Sequence, residues 1–298
     1  MSVFISHGVW SIKCPRDPLL FMYKPFVYTV CTMYKDAQLV LAHELRTTPI
    51  PDNSTLVFIG VVGMGLVPWA LLKSRGVKLV YYSTEHANYF MNTLNQSNTF
   101  ISMVDEVWDF SPTNLSLYSK ALQMTRRFVP IAFHKNRPLI QYDTVEIPKL
   151  VFVGGVQYGT RSVHYKKLKQ ELGDNLLTFN NIWTEQDFDS ILLTRPFIFL
   201  NFHKHEPTTY EGCNHFAEMA RMYYLLSSKA LIISSHCGPL DESLCTGMIT
   251  FCKLQEVASE FNTLLQMTPQ ERETLATDRL NRFKDNPALR YSNSSRTH

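Results

Sequence analysis

The sequence lacks several patterns that would assign its class directly. No apolar run reaches the roughly 18 residues that span a bilayer. Residues 1–12 lack the basic segment and the long apolar segment of a secretory signal. The six cysteines form no CxxC pair and lack zinc-finger spacing. We therefore expect a cytoplasmic protein with reduced thiols and no metal site.

Strong charge and sequence repetition are absent as well. The 29 Lys and Arg residues against 26 Asp and Glu give a formal net charge of +3, and the basic residues are dispersed. No basic stripe typical of nucleic-acid binding stands out, and no internal repeat or low-complexity block is found. The chain has 298 residues, 45% of them hydrophobic. This length fits two domains of roughly 150 residues each.

Apolar, β-branched runs alternate with stretches of helical period along the whole chain. This alternation predicts an α/β fold, with parallel sheets covered by helices on both faces. The predicted strands cover residues 3–6, 38–43, 55–62, 78–83, 106–110, 127–130, 150–154, 176–179, 197–202, 230–234 and 248–251. The predicted helices include residues 68–75, 112–122, 162–172, 185–193, 215–227, 254–265 and 269–284.

Two such α/β series meet at a polar, proline-punctuated stretch, residues 134–149, which we interpret as a linker. We predict an N-terminal domain over residues 1–140, a C-terminal domain over 141–285 and a disordered tail over 286–298. Two Rossmann-like domains of this kind are expected to face a central cleft, where ligands of such folds bind.

A glycine-rich loop in the first half is close to a dinucleotide-binding fingerprint. Gly60-Val-Val-Gly63-Met-Gly65 follows a predicted strand, and Glu85 ends the next strand about 20 residues later. Pro68 stands in the place of the third glycine, which weakens the match. Three interpretations of the loop stay open. It is a tight strand-to-helix turn that needs small residues, a loop that contacts a phosphate or the acceptor, or the NAD site of an oxidoreductase.

The second half begins with a strand that ends in a glycine pair. Gly154 and Gly155 are followed by Arg161 at the start of a predicted helix. A helix N-terminus offers backbone N–H groups and the positive end of the helix dipole to an anion such as a diphosphate. Arg161 can add a bidentate contact to the same phosphate. The alternative is that Arg161 is a solvated residue of the first helical turn.

Two later elements place polar residues where ligands of parallel sheets bind. Asn201 and His203 share one face at the end of a predicted strand. Glu218 and Arg221 stand three residues apart on a predicted helix and therefore share a face. Glu218 can then accept both hydroxyls of a ribose while Arg221 keeps it ionised. A packed histidine and a simple intrahelical ion pair are the structural alternatives.

A further strand of the second half leads into a turn-rich loop with two adjacent acids. Ser235 stands at the end of this strand, and Asp241 and Glu242 follow Gly238-Pro239. The N–H groups of the loop and the Ser235 hydroxyl can hold a phosphate or a sugar hydroxyl. Otherwise the loop is a surface turn with solvated acids.

In combination, these residues resemble the donor-binding domain of GT-B glycosyltransferases. Glu218-x-x-Arg221-x-x-Tyr224-Leu-Leu is similar to the E-x-x-R-x-x-Y-L-L helix of small single-chain glycosyltransferases of bacteria and large DNA viruses. In the first half, Val80-Tyr-Tyr-Ser-Thr84-Glu85 resembles the Y-N-T-E strand end of that group, and residues 105–114 resemble its D-E-I-W-D-Y-S-x-x-N. The resemblance covers about residues 55–284.

The resemblance implies a GT-B fold and transfer of a sugar from a nucleoside-diphosphate sugar, with no metal ion or other cofactor. Positive charge and helix N-termini would stabilise the departing diphosphate. Glu218 would bind ribose or donor hydroxyls, and Arg161 with Ser235 would lie near the diphosphate. The whole donor site is predicted from Gly154, Gly155, Arg161, His203, Glu218, Arg221, Ser235, Asp241 and Glu242.

The stereochemistry of transfer stays open at this stage. The E-x7-E pair of retaining GT-B enzymes is missing, because Glu211 stands seven positions before Glu218 where the pair requires eight. An inverting mechanism needs a general base for the acceptor hydroxyl. Glu85 and His86 are the predicted catalytic residues, and His7 is the runner-up.

The acceptor and two other function classes also remain open. The acceptor is expected to be a glycan, a small molecule, a protein or a modified DNA base. A NAD-dependent oxidoreductase would use Gly63, Gly65 and Glu85. A non-catalytic nucleotide-sugar-binding protein would keep Glu218 and Arg161 in use without turning over a donor.

Overall fold

The chain folds into two units, each built on one parallel sheet. The structure is a computed structural model, and it describes residues 2–8, 23–61, 63–87, 103–118, 124–131, 133, 135–157, 159–180, 182, 184–203 and 218–290. The first unit holds residues up to 132, and the second holds residues 133–290. The division falls before the predicted boundary at residue 140, so the described residues of the predicted linker belong to the second unit.

The first unit contains a six-stranded parallel sheet of order β2-β1-β3-β4-β5-β6. Its strands are β1 (Val3–His7), β2 (Gln38–Leu39), β3 (Thr55–Ile59), β4 (Lys78–Tyr82), β5 (Glu106–Asp109) and β6 (Thr125–Phe128). Its described helices are α1 (Lys24–Met33), α2 (Trp69–Ser74) and α3 (Pro112–Leu117), with 3-10 turns at Glu44–Arg46 and Met64–Leu66.

The second unit contains a five-stranded parallel sheet of order β11-β10-β9-β7-β8. Its strands are β7 (Leu150–Val153), β8 (Leu176–Phe179), β9 (Ile198–Asn201), β10 (Leu231–Ser235) and β11 (Thr250–Cys252). Its described helices are α4 (Arg161–Leu172), α5 (Glu185–Thr194), α6 (Met219–Ser227), α7 (Pro239–Leu244), α8 (Val257–Gln266) and α9 (Pro269–Asp285). Its 3-10 turns are Gly173–Asn175, Leu254–Glu256 and Pro287–Leu289.

The two sheets share one strand order. In each unit the first strand lies between the second and the third, and the fourth and fifth strands continue outward from the third. The chain therefore changes direction across the sheet beside β1 and β3 in the first unit, and beside β7 and β9 in the second. Ligands of open parallel sheets bind at the carboxyl ends of the strands that flank such a switch point.

The sequence forms these sheets because the central strands are apolar on both faces. All five residues of β3 and all four residues of β7 are buried, as expected for strands with helices above and below. Helix ends follow local chemistry: Ser111 accepts a hydrogen bond from the N–H of Asn114 at the start of α3. Gly76 follows α2 with a φ of +70°, a conformation that a side chain would disfavour.

Every predicted strand is present, with ends that shift by a few residues. The largest difference is β2, which was predicted to run from 38 to 43 and is assigned only to Gln38–Leu39. Backbone hydrogen bonds to β1 nevertheless continue through the N–H groups of Val40 and Ala42. None of the helices in the described ranges has the length and apolar character needed to cross a bilayer.

Three helix and tail predictions need correction or lie outside the described residues. Helix α3 ends at Leu117, short of the predicted end at 122, and residues 119–123 lie outside the described ranges. Helix α6 begins at Met219, and residues 215–217 of the predicted helix also lie outside. The predicted disordered tail begins too early, because Pro287–Leu289 forms a 3-10 turn with Leu289 buried. Residues 291–298 lie outside the described part.

We predict that Gly60 tolerates no side chain. Its φ is +71°, and an added Cβ would lie 2.7 Å from the Tyr23 hydroxyl oxygen and 2.9 Å from Thr84 Oγ1. Gly60→Ala should lower the free energy of unfolding by about 1–3 kcal/mol through strain alone, before the clash is counted. Gly65→Ala is the matched control, because nothing lies within 4 Å of its added Cβ. Urea titrations that give equal stabilities for the two variants would contradict the prediction.

Candidate functional site

Arg161 connects the two strand ends at the switch point of the second sheet. It is the first residue of α4 and is only 6% exposed. Its guanidinium donates to the carbonyl of Gly155, after β7, at 2.9 Å, and to the carbonyls of Phe202 and His203, after β9, at 2.9 and 3.3 Å. Arg161 is therefore a buried residue that joins two loops, and it is not the solvated first-turn residue of the alternative interpretation.

Glu218 stands next to this guanidinium, at the N-terminal end of α6. Its carboxylate forms an ion pair with Arg221 and lies 3.5 Å from Arg161 Nη2. Burial acts to raise the pKa of Glu218, but the charges of Arg221, Arg161 and His203 together hold it below its usual value. The side chain is still 26% exposed. Glu218 is thus an ionised carboxylate that a ligand can reach, as the ribose prediction requires.

A chain of hydrogen bonds continues from Arg221 across the next strands. Arg221 Nη1 donates to Asn201 Oδ1 at 3.2 Å, and Asn201 Nδ2 lies 3.0 Å from Ser234 Oγ on the neighbouring strand. The Ser234 hydroxyl donates in turn to the carbonyl of Ser235 at 2.9 Å. Ser235 is therefore linked to the arginine pair through the sheet, and it is buried.

Phe152 packs beneath both arginines and was not identified from the sequence. The guanidinium carbons of Arg161 and Arg221 lie 5.1 and 5.5 Å from the centre of its ring. Such cation–π contacts favour a guanidinium that is held out of water. Gly154 has a φ of +138°, which disfavours a side chain, although an added Cβ would make only ordinary contacts, 3.5 Å from the Phe152 ring and 3.9 Å from Arg221 Nη2.

The acids after β10 are engaged within their own loop. Glu242 Oε1 lies 2.9 Å from His236 Nδ1 and accepts the backbone N–H of Cys237 at 2.8 Å. Asp241 is buried in α7. Burial, with the charges of Asp241 and Glu242, raises the pKa of the Cys245 thiol to about 12, so this thiol is unreactive at neutral pH. The contacts of Glu242 are therefore structural and Asp241 is buried, and the donor-binding role of both residues stays a prediction.

The structure thus brings most of the predicted donor residues together. Six of them surround one switch point, namely Gly154, Gly155, Arg161, His203, Glu218 and Arg221. His203 is buried beside Arg161 and Glu218. A buried arginine that binds carbonyls cannot be read from the sequence, because its partners Gly155 and Phe202 follow two different strands, β7 and β9.

The predicted catalytic residues lie at the corresponding edge of the first sheet. Glu85 and His86 follow β4 and are partly exposed. The Tyr23 hydroxyl and Thr84 Oγ1 both lie close to Gly60, and burial together with the charge of Glu85 raises the pKa of Tyr23. Tyr23, which sequence reasoning missed, therefore belongs to the same cluster as Glu85.

His7 ends β1 within this cluster, with its ring 5.5 Å from the ring of Tyr23. Its Nδ1 lies 2.9 Å from the carbonyl oxygen of Gly8. Since a carbonyl only accepts, this contact places a proton on Nδ1, and in the neutral form of the ring Nε2 then carries the lone pair. His7 is fully buried, whereas Glu85 is partly exposed.

The glycine-rich loop near this cluster serves close packing within the first unit. An added Cβ on Gly63 would lie 2.7 Å from the Cα of Gly8. A 3-10 turn and Pro68 separate the loop from α2, so no α-helix begins directly at the glycines as a dinucleotide fingerprint requires. This geometry agrees with the tight-turn interpretation.

One Asp-x-Asp triplet, Asp187-Phe188-Asp189, raises the question of a metal site. It lies inside α5, where residues two apart point to different faces. Asp189 forms an ion pair with the buried Arg137, and Phe188 is buried. Among the described residues, no group of three His, Cys, Asp or Glu side chains is arranged to hold a metal ion.

Comparisons with known proteins identify the fold. No family model matches the sequence, and no curated protein sequence matches it. The structure of Anabaena Alr3699/HepE in complex with UDP and glucose aligns over 95% of each chain, with a TM-score of 0.59 and 11% identity. The chain has the GT-B fold.

Two further solved structures align more weakly. An alpha,alpha-trehalose-phosphate synthase from Burkholderia xenovorans, in complex with glucose-6-phosphate, has a TM-score of 0.47 and 8% identity, covering 90% of this chain and 79% of that one. The Gap123 complex from Streptococcus agalactiae has a TM-score of 0.46 and 12% identity over 83% of this chain. The alignment covers only 55% of the length of the Gap123 chain.

Glu218→Gln is predicted to weaken nucleotide binding more than it weakens the fold. If Glu218 binds the ribose hydroxyls as the sequence predicts, the loss of charge-assisted bonds, each worth about 1.5–3 kcal/mol, should weaken binding of a nucleoside diphosphate by about 10- to 100-fold. Breaking a fully buried ion pair costs about 3–5 kcal/mol. We expect about 1–2 kcal/mol here, because Glu218 is 26% exposed and Arg161 keeps its carbonyl partners. Calorimetric titration with nucleoside diphosphates and urea unfolding measure the two effects, with the exposed Glu171→Gln as control.

The difference in the free energy of unfolding between the wild type and Glu218→Gln should also depend on pH. Because the pKa of Glu218 is lowered in the fold, its ionised form stabilises the protein above the ordinary glutamate pKa of about 4.3. This stabilisation is lost as the pH falls through the lowered value. The gap in stability between the wild type and Glu218→Gln should therefore be constant from pH 8 to 5 and shrink below about pH 4. A gap that widens in acid would contradict the assignment.

Proposed function

We propose that this protein is a metal-independent glycosyltransferase that moves a sugar from a nucleoside-diphosphate sugar to an acceptor hydroxyl. The observation that carries the proposal is the ionised, partly exposed Glu218, held between Arg161 and Arg221 at the switch point of the second sheet. This is the position where ligands of parallel sheets bind. The fold alone would not decide between functions.

In this proposal Glu218 accepts the two hydroxyls of the donor ribose. A carboxylate with a lowered pKa stays ionised at neutral pH and can accept two hydrogen bonds at once. Alr3699/HepE was solved with UDP and glucose, so UDP-glucose is the first donor to test.

The diphosphate would be bound by the N-terminal end of α4 and by Arg221. This helix has twelve residues and directs the positive end of its dipole toward the switch point. The donors of Arg161 bind carbonyl oxygens, so its direct contact with the diphosphate stays a prediction. Its position supports the site by fixing both loops and by neutralising Glu218.

The acceptor hydroxyl would lose its proton to a base of the first unit. Glu85 is the first candidate, because it is partly exposed at the carboxyl edge of the sheet beside Tyr23 and Thr84. His7 is the second, because Nδ1 contacts the Gly8 carbonyl and its Nε2 then carries the lone pair. A general base typically contributes about 10²–10⁴-fold to the rate.

A ligand screen tests the proposal. We expect the wild type to be stabilised against heat by UDP or another nucleoside diphosphate, because a ligand that binds only the folded state stabilises it by mass action. The shift should persist in EDTA, should be reduced in Glu218→Gln, and should be absent with NAD or NADP. Stabilisation by NAD alone would favour an oxidoreductase, and a shift lost in EDTA would contradict metal independence.

Glu85→Gln is expected to slow transfer without affecting the donor. UDP release from UDP-glucose should fall by about 10²–10⁴-fold. UDP affinity should stay within about twofold, because the proposed donor residues all belong to the second unit. Full activity in Glu85→Gln, with loss of activity in His7→Gln, would assign the base to His7.

A further inference from the structure

A buried side chain holds the backbone of the segment that carries both candidate catalytic residues. Residues 83–87 follow β4 and include Glu85 and His86. Asn114, on the neighbouring helix α3, is completely buried. Its Nδ2 donates to the carbonyl of Glu85 at 3.0 Å, and its Oδ1 accepts the backbone N–H of Ala87 at 2.7 Å. One amide group thus bridges the residues on either side of His86.

A second side chain holds the same carbonyl. The Ser83 hydroxyl donates to the Glu85 carbonyl at 3.0 Å and accepts a hydrogen bond from the Tyr118 hydroxyl at 3.0 Å. The backbone around Glu85 is therefore tied to α3 at Asn114 and to its C-terminal flank at Tyr118. A short segment with three such hydrogen bonds has little freedom to move.

Asn114 is itself fixed by its surroundings. Its backbone N–H donates to Ser111 Oγ at 2.9 Å, which caps α3. Its Nδ2 also donates to Asp109 Oδ2 at 2.6 Å, and the other carboxylate oxygen of the buried Asp109 accepts the N–H of Ser111 at 2.9 Å. Only an amide has the two donors and the acceptor that these three contacts require. The sequence Asp109-x-Ser111-x-x-Asn114 is thus explained by one bonding pattern.

We propose that Asn114 is a positioning residue that fixes the backbone of Glu85 and Ala87, so that Glu85 and His86 are presented in one geometry to the acceptor hydroxyl. This inference rests on the proposed function for its catalytic part. Its structural part, that Asn114 immobilises residues 83–87, depends only on the hydrogen bonds. A displacement of a catalytic group by about 1 Å can cost about 10²-fold in rate.

The structural part is tested by amide hydrogen exchange, using peptides that cover residues 84–87. In Asn114→Ala the exchange of Ala87 should be at least about tenfold faster than in the wild type, because its N–H loses its acceptor. Ser116→Ala, on the same helix, removes only a bond to the Thr113 carbonyl and should leave this exchange unchanged. Unchanged exchange in Asn114→Ala overturns the inference, whether or not the protein proves to be a glycosyltransferase.

The catalytic part is tested by UDP release from UDP-glucose. Asn114→Ala should lower kcat by about 10²-fold, with the Kd for UDP unchanged within about twofold. Ser111→Ala is the matched control for stability, because it removes the cap of α3 and leaves the amide contacts of Asn114 in place. If kcat falls equally in Ser111→Ala and Asn114→Ala, the role is merely structural and the inference is overturned.

A swapped pair keeps the test meaningful if Asn114→Ala unfolds. In the double variant Asp109→Asn/Asn114→Asp, the bond between the two side chains and the acceptor for Ala87 are retained, but the donor to the Glu85 carbonyl is lost. We expect a melting temperature below that of the wild type, because a carboxylate oxygen now faces the Glu85 carbonyl oxygen, and a kcat about tenfold below the wild type. Recovery of both stability and kcat overturns the inference. A wild type that neither binds UDP nor releases it from UDP-glucose refutes the proposed function instead.

Discussion

The second unit depends on one buried guanidinium. Arg161 donates to carbonyl groups that follow two neighbouring strands, β7 and β9, and these groups would otherwise need other partners. The charge that it brings into the interior is compensated by Glu218 and faces the ring of Phe152. Removing either the carbonyls or the carboxylate would leave a buried charge poorly solvated, which is costly. The loops at the switch point are therefore fixed by the residue that also sets the local electrostatics.

The same arrangement keeps Glu218 ionised, as its proposed role in binding a sugar hydroxyl requires. Alone in a partly buried position, a carboxylate would tend to bind a proton. Arg161 and Arg221 reverse that tendency, and the pKa of Glu218 falls. Arg221 is in turn oriented by Asn201 and Phe152. Each residue of the cluster thus has a structural role in addition to the one proposed for it in binding.

The α/β fold could be predicted because its signals are local. Runs such as Leu150-Val-Phe-Val identify buried parallel strands, and the cap at Ser111 and the glycine after α2 mark helix ends. Six donor-site candidates lie near one another, because parallel strands bring their carboxyl ends together, and their role in donor binding stays a prediction. The roles of Arg161, Tyr23 and Asn114 could not be predicted in this way. Their partners lie on other elements, and no spacing in the sequence specifies a contact between them.

The contacts of Arg161 also determine when the site can form during folding. Its partners Phe202 and His203 lie 41 and 42 residues further along the chain, directly after the central strand β9 of the second sheet. Contacts over such distances form only after a large loop has closed. A partly folded chain in which β9 has not yet inserted between β7 and β10 would lack the arginine bridge and the lowered carboxylate pKa. The proposed nucleotide site would then be completed only when that strand is in place, so its formation would report on the completed second sheet.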